Sequence, residues 1–425
     1  MNAFTENNNA LYCEDVALSD ITREHGTPAY VYSANHIREQ YKALSGAMQA
    51  ALPVDKQPMI CFACKANSNI AVLNILKNCG SGAEIVSEGE LLRALKAGFD
   101  PKRIVSTGVG KTRSEISACL KAGTHQFNAE SLEELEVIQN VAADIDIPAT
   151  VVFRMNPDIS GAGGHAKIST GGSRDKFGIV PSAILKGYDM AKSMSYVNVV
   201  GLSMHIGSQV FDVSKFKEAF ETLPDFVAQL RGLGHEVSRL DIGGGFPIQY
   251  KDEDLLDLSA YAEWVRDIIL PLDAELILEP GRYLVGNAGV LLTETHFVKK
   301  TQGKDFLVVD AGMSDLLRPA LYDSYHGIEP IENRDRAHVP YDVVGPVCES
   351  SDSFCHMDTR MMPAIEAREV LAIRSAGAYG FVMASNYNTR PYIPEILVDG
   401  DKVAVIRERQ KTEDLFASES IPDWV

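Results

Sequence analysis

From about residue 58 onward the apolar positions alternate between two patterns, short runs rich in β-branched residues and longer stretches with amphipathic spacing. The runs predict strands near 59–65, 83–87, 103–107, 125–128, 149–155, 199–205, 238–242 and 274–279. Helices are predicted between them. Ser87-Glu-Gly-Glu90 and Ser131-Leu-Glu-Glu134 have the form of capping boxes, in which a hydroxyl and a glutamate three residues later satisfy the first free N–H groups of a helix. A succession of eight strand-and-helix units buries its apolar faces best by closing on itself. The expected fold is α/β, a TIM-like (β/α)8 barrel.

After about Arg282 the pattern changes to alternating apolar runs punctuated by Gly and Pro, as in Phe306-Leu-Val-Val-Asp310, Val370-Leu-Ala-Ile-Arg374 and Glu395-Ile-Leu-Val398. Long helices are not evident there. The expected division is a barrel over residues 30–284 and a mostly-β domain made of 1–29 and 285–425. The strand-like Ala29-Tyr-Val-Tyr32 lies at that boundary and is a candidate to join the second domain. The segment from Asn156 to Lys176 holds five glycines and is too long for a plain connector, which marks it as functional or mobile.

Composition narrows the class. With 425 residues, 45% of them apolar and 23% charged, the chain has the balance of a globular protein with ample core. A net charge of −18 repels polyanions, so nucleic acid is not an expected partner. The first ten residues lack the basic and apolar parts of a signal peptide, and no segment has the length and apolarity of a membrane helix. A cytoplasmic enzyme is expected, with its seven cysteines as thiols. Cys61 and Cys64 have metal-site spacing but no second pair. On a strand they would face opposite sides, so no metal is expected.

Barrel enzymes place their chemistry at the C-terminal ends of the strands. Here those ends carry Lys65, His205, Asp241-Ile-Gly-Gly-Gly245 and Glu279-Pro280-Gly281-Arg282. Taken singly, each has a bland reading: a solvated lysine, a core histidine, a tight turn. Their coincidence on one face changes the balance. A lysine withdrawn from bulk water is an amine nucleophile for a carbonyl, and an aldehyde cofactor is the natural carbonyl. Gly243, Gly244 and Gly245 let backbone N–H groups approach an anion, Arg282 adds a cation, and Glu279 suits a ring nitrogen. His205 offers a flat face for stacking.

Phe62-Ala-Cys-Lys65-Ala-Asn67, His205-Ile-Gly-Ser208-Gln209, Asp241-Ile-Gly-Gly-Gly245 and Glu279-Pro-Gly-Arg282 resemble the successive motifs of the fold-type-III pyridoxal-phosphate decarboxylases. The resemblance runs from about residue 25 to the C-terminus. It implies pyridoxal 5'-phosphate as cofactor, bound covalently by Lys65, with His205 stacked on its ring and Glu279 paired with the ring nitrogen. Ser208, the three glycines, Pro280, Gly281 and Arg282 would surround the phosphate, and Arg282 would also neighbour the substrate. Gly345-Pro-Val-Cys348-Glu349-Ser-Ser-Asp352, Gly377-Ala-Tyr-Gly380, Ser385-Asn-Tyr387-Asn388 and His165-Ala-Lys-Ile-Ser-Thr-Gly171, followed by Lys176-Phe-Gly178, are similar to motifs of the diaminopimelate decarboxylase branch.

That branch implies decarboxylation of meso-2,6-diaminopimelate to L-lysine, the last step of lysine biosynthesis. It also implies a homodimer whose active sites are shared: Cys348, as proton donor, and Glu349 would reach the partner's site. Arg318 and Tyr322, in Leu317-Arg-Pro-Ala-Leu-Tyr322, would bind substrate with Glu349 and Tyr387, and Tyr387 would touch the cofactor as well. The plain alternative for Arg318 is a surface ion pair. Two departures stand out: Glu84 occupies a position commonly Asp, and Arg390-Pro-Tyr392-Ile-Pro394 lacks a second arginine. The nearest alternative is a decarboxylase of ornithine, lysine or arginine on the same fold, against which the Cys348-Glu349 pair speaks. A racemase on this barrel and a non-catalytic cofactor carrier fit the second domain less well.

Overall fold

A computed structural model describes residues 3–159, 176–355 and 358–425. The chain forms two compact units, one of Arg38–Gln249 with Glu253–Leu284, the other of Met1–Ile37 with Tyr250–Asp252 and Val285–Val425.

The first unit is a closed barrel of eight parallel strands in sequential order. They are β1 (Met59–Ala63), β2 (Gly82–Ile85), β3 (Ile104–Ser106), β4 (Gln126–Ala129), β5 (Ala149–Arg154), β6 (Val197–Ser203), β7 (Arg239–Asp241) and β8 (Glu275–Leu278). The ring closes where Ile277 and Leu278 of β8 pair with Met59 and Ile60 of β1. Each strand coincides with one of the eight apolar runs but is trimmed at its C-terminal end or shifted by a residue or two. β1 stops at Ala63, and Cys64–Ala66 form a 3-10 turn. Strand alternation therefore does not reach Cys64 or Lys65. Cys61 and Cys64 are separate buried thiols, and no group of metal-ligating side chains occurs among the described residues.

Helix starts follow the capping residues with one correction. Ser87 and Ser131 accept the N–H groups of Glu90 and Glu134. The return bond goes one residue upstream, because Glu90 and Glu134 accept from the backbone of Val86 and Glu130 instead. Only half of each box forms. The reciprocal box occurs at Thr112 and Glu115, before helix Arg113–Ala122.

In the second unit the twelve-residue strand Gly289–Lys300 pairs with Ala29–Ser33, Asp305–Val309 and Val370–Ile373. Ala29–Ser33 is an interior strand of this sheet, flanked on its other side by Glu395–Asp399. Its period-two alternation separates two cores. Tyr30 and Tyr32 pack with Leu291, Leu307 and Ile373 on one face, whereas Ala29 and Val31 pack with Phe4, Leu18 and Leu292 on the other. Both tyrosines are fully buried, so each hydroxyl needs a partner. Tyr30 donates to the Asp315 carbonyl at 2.7 Å and Tyr32 to Glu395 at 2.8 Å. The polar N-terminal segment, which carries no strand signal of its own, forms a small antiparallel sheet from Phe4–Asn7, Ala10–Cys13 and Val16–Ala17.

Candidate active site

The turns that follow β1, β6, β7 and β8 meet at the C-terminal face of the barrel through backbone contacts. A Cβ on Gly243 would lie 2.3 Å from the Met204 carbonyl, one on Gly244 would lie 2.1 Å from that of Glu279, and one on Gly245 would lie 2.6 Å from that of Gly207. Gly243 and Gly245 also have φ of 71° and 103°, which side-chain-bearing residues rarely adopt. No larger residue fits this junction. The β8 turn presses on the β1 turn in the same way: the Ala63 N–H donates to the Pro280 carbonyl at 3.0 Å.

This packing sets Lys65 beside Glu84 of β2, with Nζ 3.0 and 3.1 Å from the two carboxylate oxygens. The longer Glu side chain, where an Asp is common, reaches the ammonium directly. Arg282 donates to the Ser208 hydroxyl at 3.1 Å, so the β6 and β8 turns share a polar contact next to the glycines. The Gly244 N–H donates to Nδ1 of His205 at 3.2 Å, which leaves the other ring nitrogen to carry the proton of a neutral imidazole. Burial, with the Arg154 and Lys65 charges, lowers the His205 pKa well below the usual histidine value.

Glu279 lies buried among acids. Its Oε1 accepts from Thr107 at 3.1 Å and from Asn128 at 3.2 Å, and Asn128 also donates to Asp241 at 2.8 Å. Burial pushes the Glu279 carboxyl well above its ordinary range, and Asp241 and Glu84 push it further; burial raises Asp241 as well. Glu84 and Glu279 thus act on the Lys65 ammonium, and Asp241 hydrogen-bonds the Glu279 carboxyl from behind. A protonated ring nitrogen is the kind of cation that such a set accommodates, and the glycine turn with Ser208 and Arg282 offers the donors a phosphate needs. The donor set fits pyridoxal phosphate.

Several partners here, apart from Gln209, which stands in the quoted His205 motif, were not singled out in the sequence. Arg154, at the end of β5, forms a buried pair with Glu130 at 2.6 Å and lies over the Phe177 ring. Gln209 clamps the β6 turn to the β7 turn through both the N–H and the carbonyl of Ile248. Asn128 and Gln126 are polar residues two apart on an otherwise apolar strand. That inward-facing alternation was the available signal.

The remaining candidates lie in the second unit. Arg318, on the short helix Arg318–Tyr322, is buried rather than part of a surface ion pair. Its guanidinium contacts Nε2 of His326 at 2.8 Å and Ser324 at 3.2 Å, and stacks 4.7 Å from the Tyr250 ring centre. Tyr322 is half-buried at the end of this helix. Cys348 and Glu349 form a second, exposed group with Tyr387 and Asn388. The Cys348 N–H donates to Asn388 at 2.8 Å, and the Tyr387 hydroxyl donates to Glu349 at 3.3 Å. Asp352 holds their loop from inside by accepting the Met313 and Val347 N–H groups, each at 2.6 Å. The motif at 165–171 lies outside the described residues.

A closed parallel barrel with this lysine, acid, imidazole and glycine turn is the architecture of a pyridoxal-phosphate enzyme. Residues 34–286 match the family described as "Pyridoxal-dependent decarboxylase, pyridoxal binding domain". A diaminopimelate decarboxylase from Pseudomonas aeruginosa is 45% identical over 421 residues, 99% of each chain. The crystal structure of diaminopimelate decarboxylase from Helicobacter pylori complexed with L-lysine superposes with TM-score 0.89 at 39% identity, covering 95% of this chain and 99% of that one. The M. jannaschii diaminopimelate decarboxylase in co-complex with L-lysine gives 0.93 at 35% identity, covering 99% and 98%. The chain belongs to the diaminopimelate decarboxylase family of pyridoxal-dependent decarboxylases.

Proposed function

We propose that the protein decarboxylates meso-2,6-diaminopimelate at its D-centre, forming L-lysine and carbon dioxide with pyridoxal 5'-phosphate as cofactor, as a cytoplasmic homodimer. The observation that carries this reading is the convergence of Lys65, the buried Glu279 and the glycine turn at one barrel face, in a chain whose full length matches the family.

Lys65 is the residue that would hold the cofactor, and its amine would be free to move a proton once substrate is bound. Gly243, Gly244, Gly245, Ser208 and Arg282 would hold the phosphate, with Pro280 and Gly281 shaping the turn, and His205 would offer its flat face to the ring. Glu279 would pair with the ring nitrogen. Pyridoxal phosphate, when bound, supplies the electron sink for the pair left behind as carbon dioxide departs. Arg318, Tyr322 and Tyr387 bind the carboxylate that is retained, and Glu349 meets the distal ammonium. Cys348 and Glu349 act from a second copy of the chain, and Cys348 returns a proton to the α-carbon.

The direct assay follows both products from meso-diaminopimelate after loading with pyridoxal phosphate. Equal yields of lysine and carbon dioxide are expected, lost in Lys65→Ala. Product formation that survives Lys65→Ala refutes the assignment of that lysine, and no product from the loaded wild type refutes the function.

A further inference from the structure

Asp241 stands directly before the glycine turn, and nothing in the reaction outlined above uses it. Its two carboxylate oxygens have different partners. Oδ1 accepts the Gly243 N–H at 3.0 Å, and Oδ2 accepts Asn128 Nδ2 at 2.8 Å. The same Asn128 nitrogen reaches Glu279 at 3.2 Å and Thr107 at 3.1 Å. Its orientation is fixed from behind, because Gln126 donates to Asn128 Oδ1 at 2.8 Å. The amide must therefore present its N–H groups to the two carboxyls. All four residues, Gln126, Asn128, Asp241 and Glu279, are buried.

We propose, on the basis of the function given above, that Asp241 is a positioning residue that locks the phosphate-binding turn to the acid facing the ring nitrogen. One oxygen sets the backbone of the turn, and the Glu279 carboxyl is set both directly, by a side-chain hydrogen bond between the two carboxyls, and through the shared Asn128 amide. The arrangement is electrostatic as well as geometric. Two carboxyls sharing one amide in a dry interior do not ionise independently, so Asp241 also governs how firmly Glu279 holds a proton. The titratable groups acting on the pair are Glu84, Lys65, Cys61 and Tyr261. Lys65 is the cation among them.

Two variants separate the two links. Asn128→Ala removes the shared amide while sparing the Gly243 bond and the direct bond between the carboxyls, whereas Asp241→Ala removes the turn bond and the direct bond together. The measurements are the dissociation constants of pyridoxal phosphate and of phosphate-free pyridoxal, and the pH dependence of the bound cofactor's absorption band. For Asp241→Ala the preference for the phosphorylated form should fall by about tenfold or more and the absorption transition should move by about one pH unit. For Asn128→Ala, which leaves the two carboxyls in direct contact, the transition should move less than in Asp241→Ala while the preference stays within about twofold. Should Asp241→Ala not fold, Asp241→Asn, which keeps an acceptor for the Gly243 N–H and removes the charge beside Glu279, carries the test: the absorption transition should move while the phosphate preference stays within about twofold. A yellow wild type alongside variants with unchanged preference and unchanged transition overturns the role of Asp241 and leaves the function standing. A wild type that binds no pyridoxal phosphate overturns both.

Discussion

A guanidinium inside a protein needs hydrogen-bond partners, because an unpaired buried charge is costly. For Arg318 those partners are His326 and Ser324, with the Tyr250 ring below. His326 is held in turn by the Arg374 carbonyl at 2.7 Å, which assigns a proton to Nδ1 and leaves Nε2 to accept from Arg318. A planar, oriented guanidinium is the partner a carboxylate recognises best. Arg318→Ala should therefore lower kcat/KM for diaminopimelate on the order of 100-fold, while pyridoxal phosphate binding is unchanged. Steady-state kinetics with a cofactor titration checks this, and near-normal efficiency would remove Arg318 from the substrate site. Residue types at this scale were legible from strand ends and motifs: Lys65, His205, Glu279 and Arg282 occupy the barrel turns as expected. Their partners were not. Asn128 meets Asp241 and Glu279 across 113 and 151 residues of sequence, a separation that no local pattern encodes.

Elements were legible where periodicity speaks and less so at their ends. Most of the barrel strands follow apolar runs, because parallel strands covered on both faces read as continuous apolar segments; β4, Gln-Phe-Asn-Ala, and β7, Arg-Leu-Asp, are the exceptions. Their C-terminal limits depend on where neighbouring turns touch, as at Ala63, and this is a tertiary fact. The small N-terminal sheet was missed because Phe4–Asn7 exposes all but its first residue. The helix Glu88–Ala97 yields a prediction. Burial, with help from Glu84, raises the Glu90 carboxyl to about 7 from 4.5. The native state thus binds this proton more tightly than the unfolded chain, so the associated stability is present below pH 4.5 and is lost as pH rises through about 7. Glu90→Gln, which keeps an acceptor for the Val86 N–H, should gain stability over wild type by about 1–2 kcal/mol between pH 5 and pH 8. Denaturant melts at the two pH values measure it. A gap that does not widen with pH contradicts the assignment.

At the scale of the whole molecule, Cys348 and Glu349 are exposed in a single chain, and the proposed homodimer would place them in a second copy's site. Lys65→Ala and Cys348→Ala should each be nearly inactive. Mixing them under conditions of subunit exchange should restore about a quarter of wild-type sites, since half the dimers are hybrids with one intact site each. No recovery despite demonstrated exchange would place the whole site in one chain. The central claim is the substrate. Diaminopimelate differs from lysine by one carboxylate, and a site built to pair that group rejects an analogue that leaves its partners unmatched. The most direct measurement is therefore kcat/KM of the loaded wild-type protein for the diaminopimelate isomers, lysine, ornithine and arginine. Turnover of the meso isomer exceeding that of lysine and ornithine by about 1000-fold or more is expected; comparable turnover of lysine or ornithine would contradict the account and make the protein a basic-amino-acid decarboxylase.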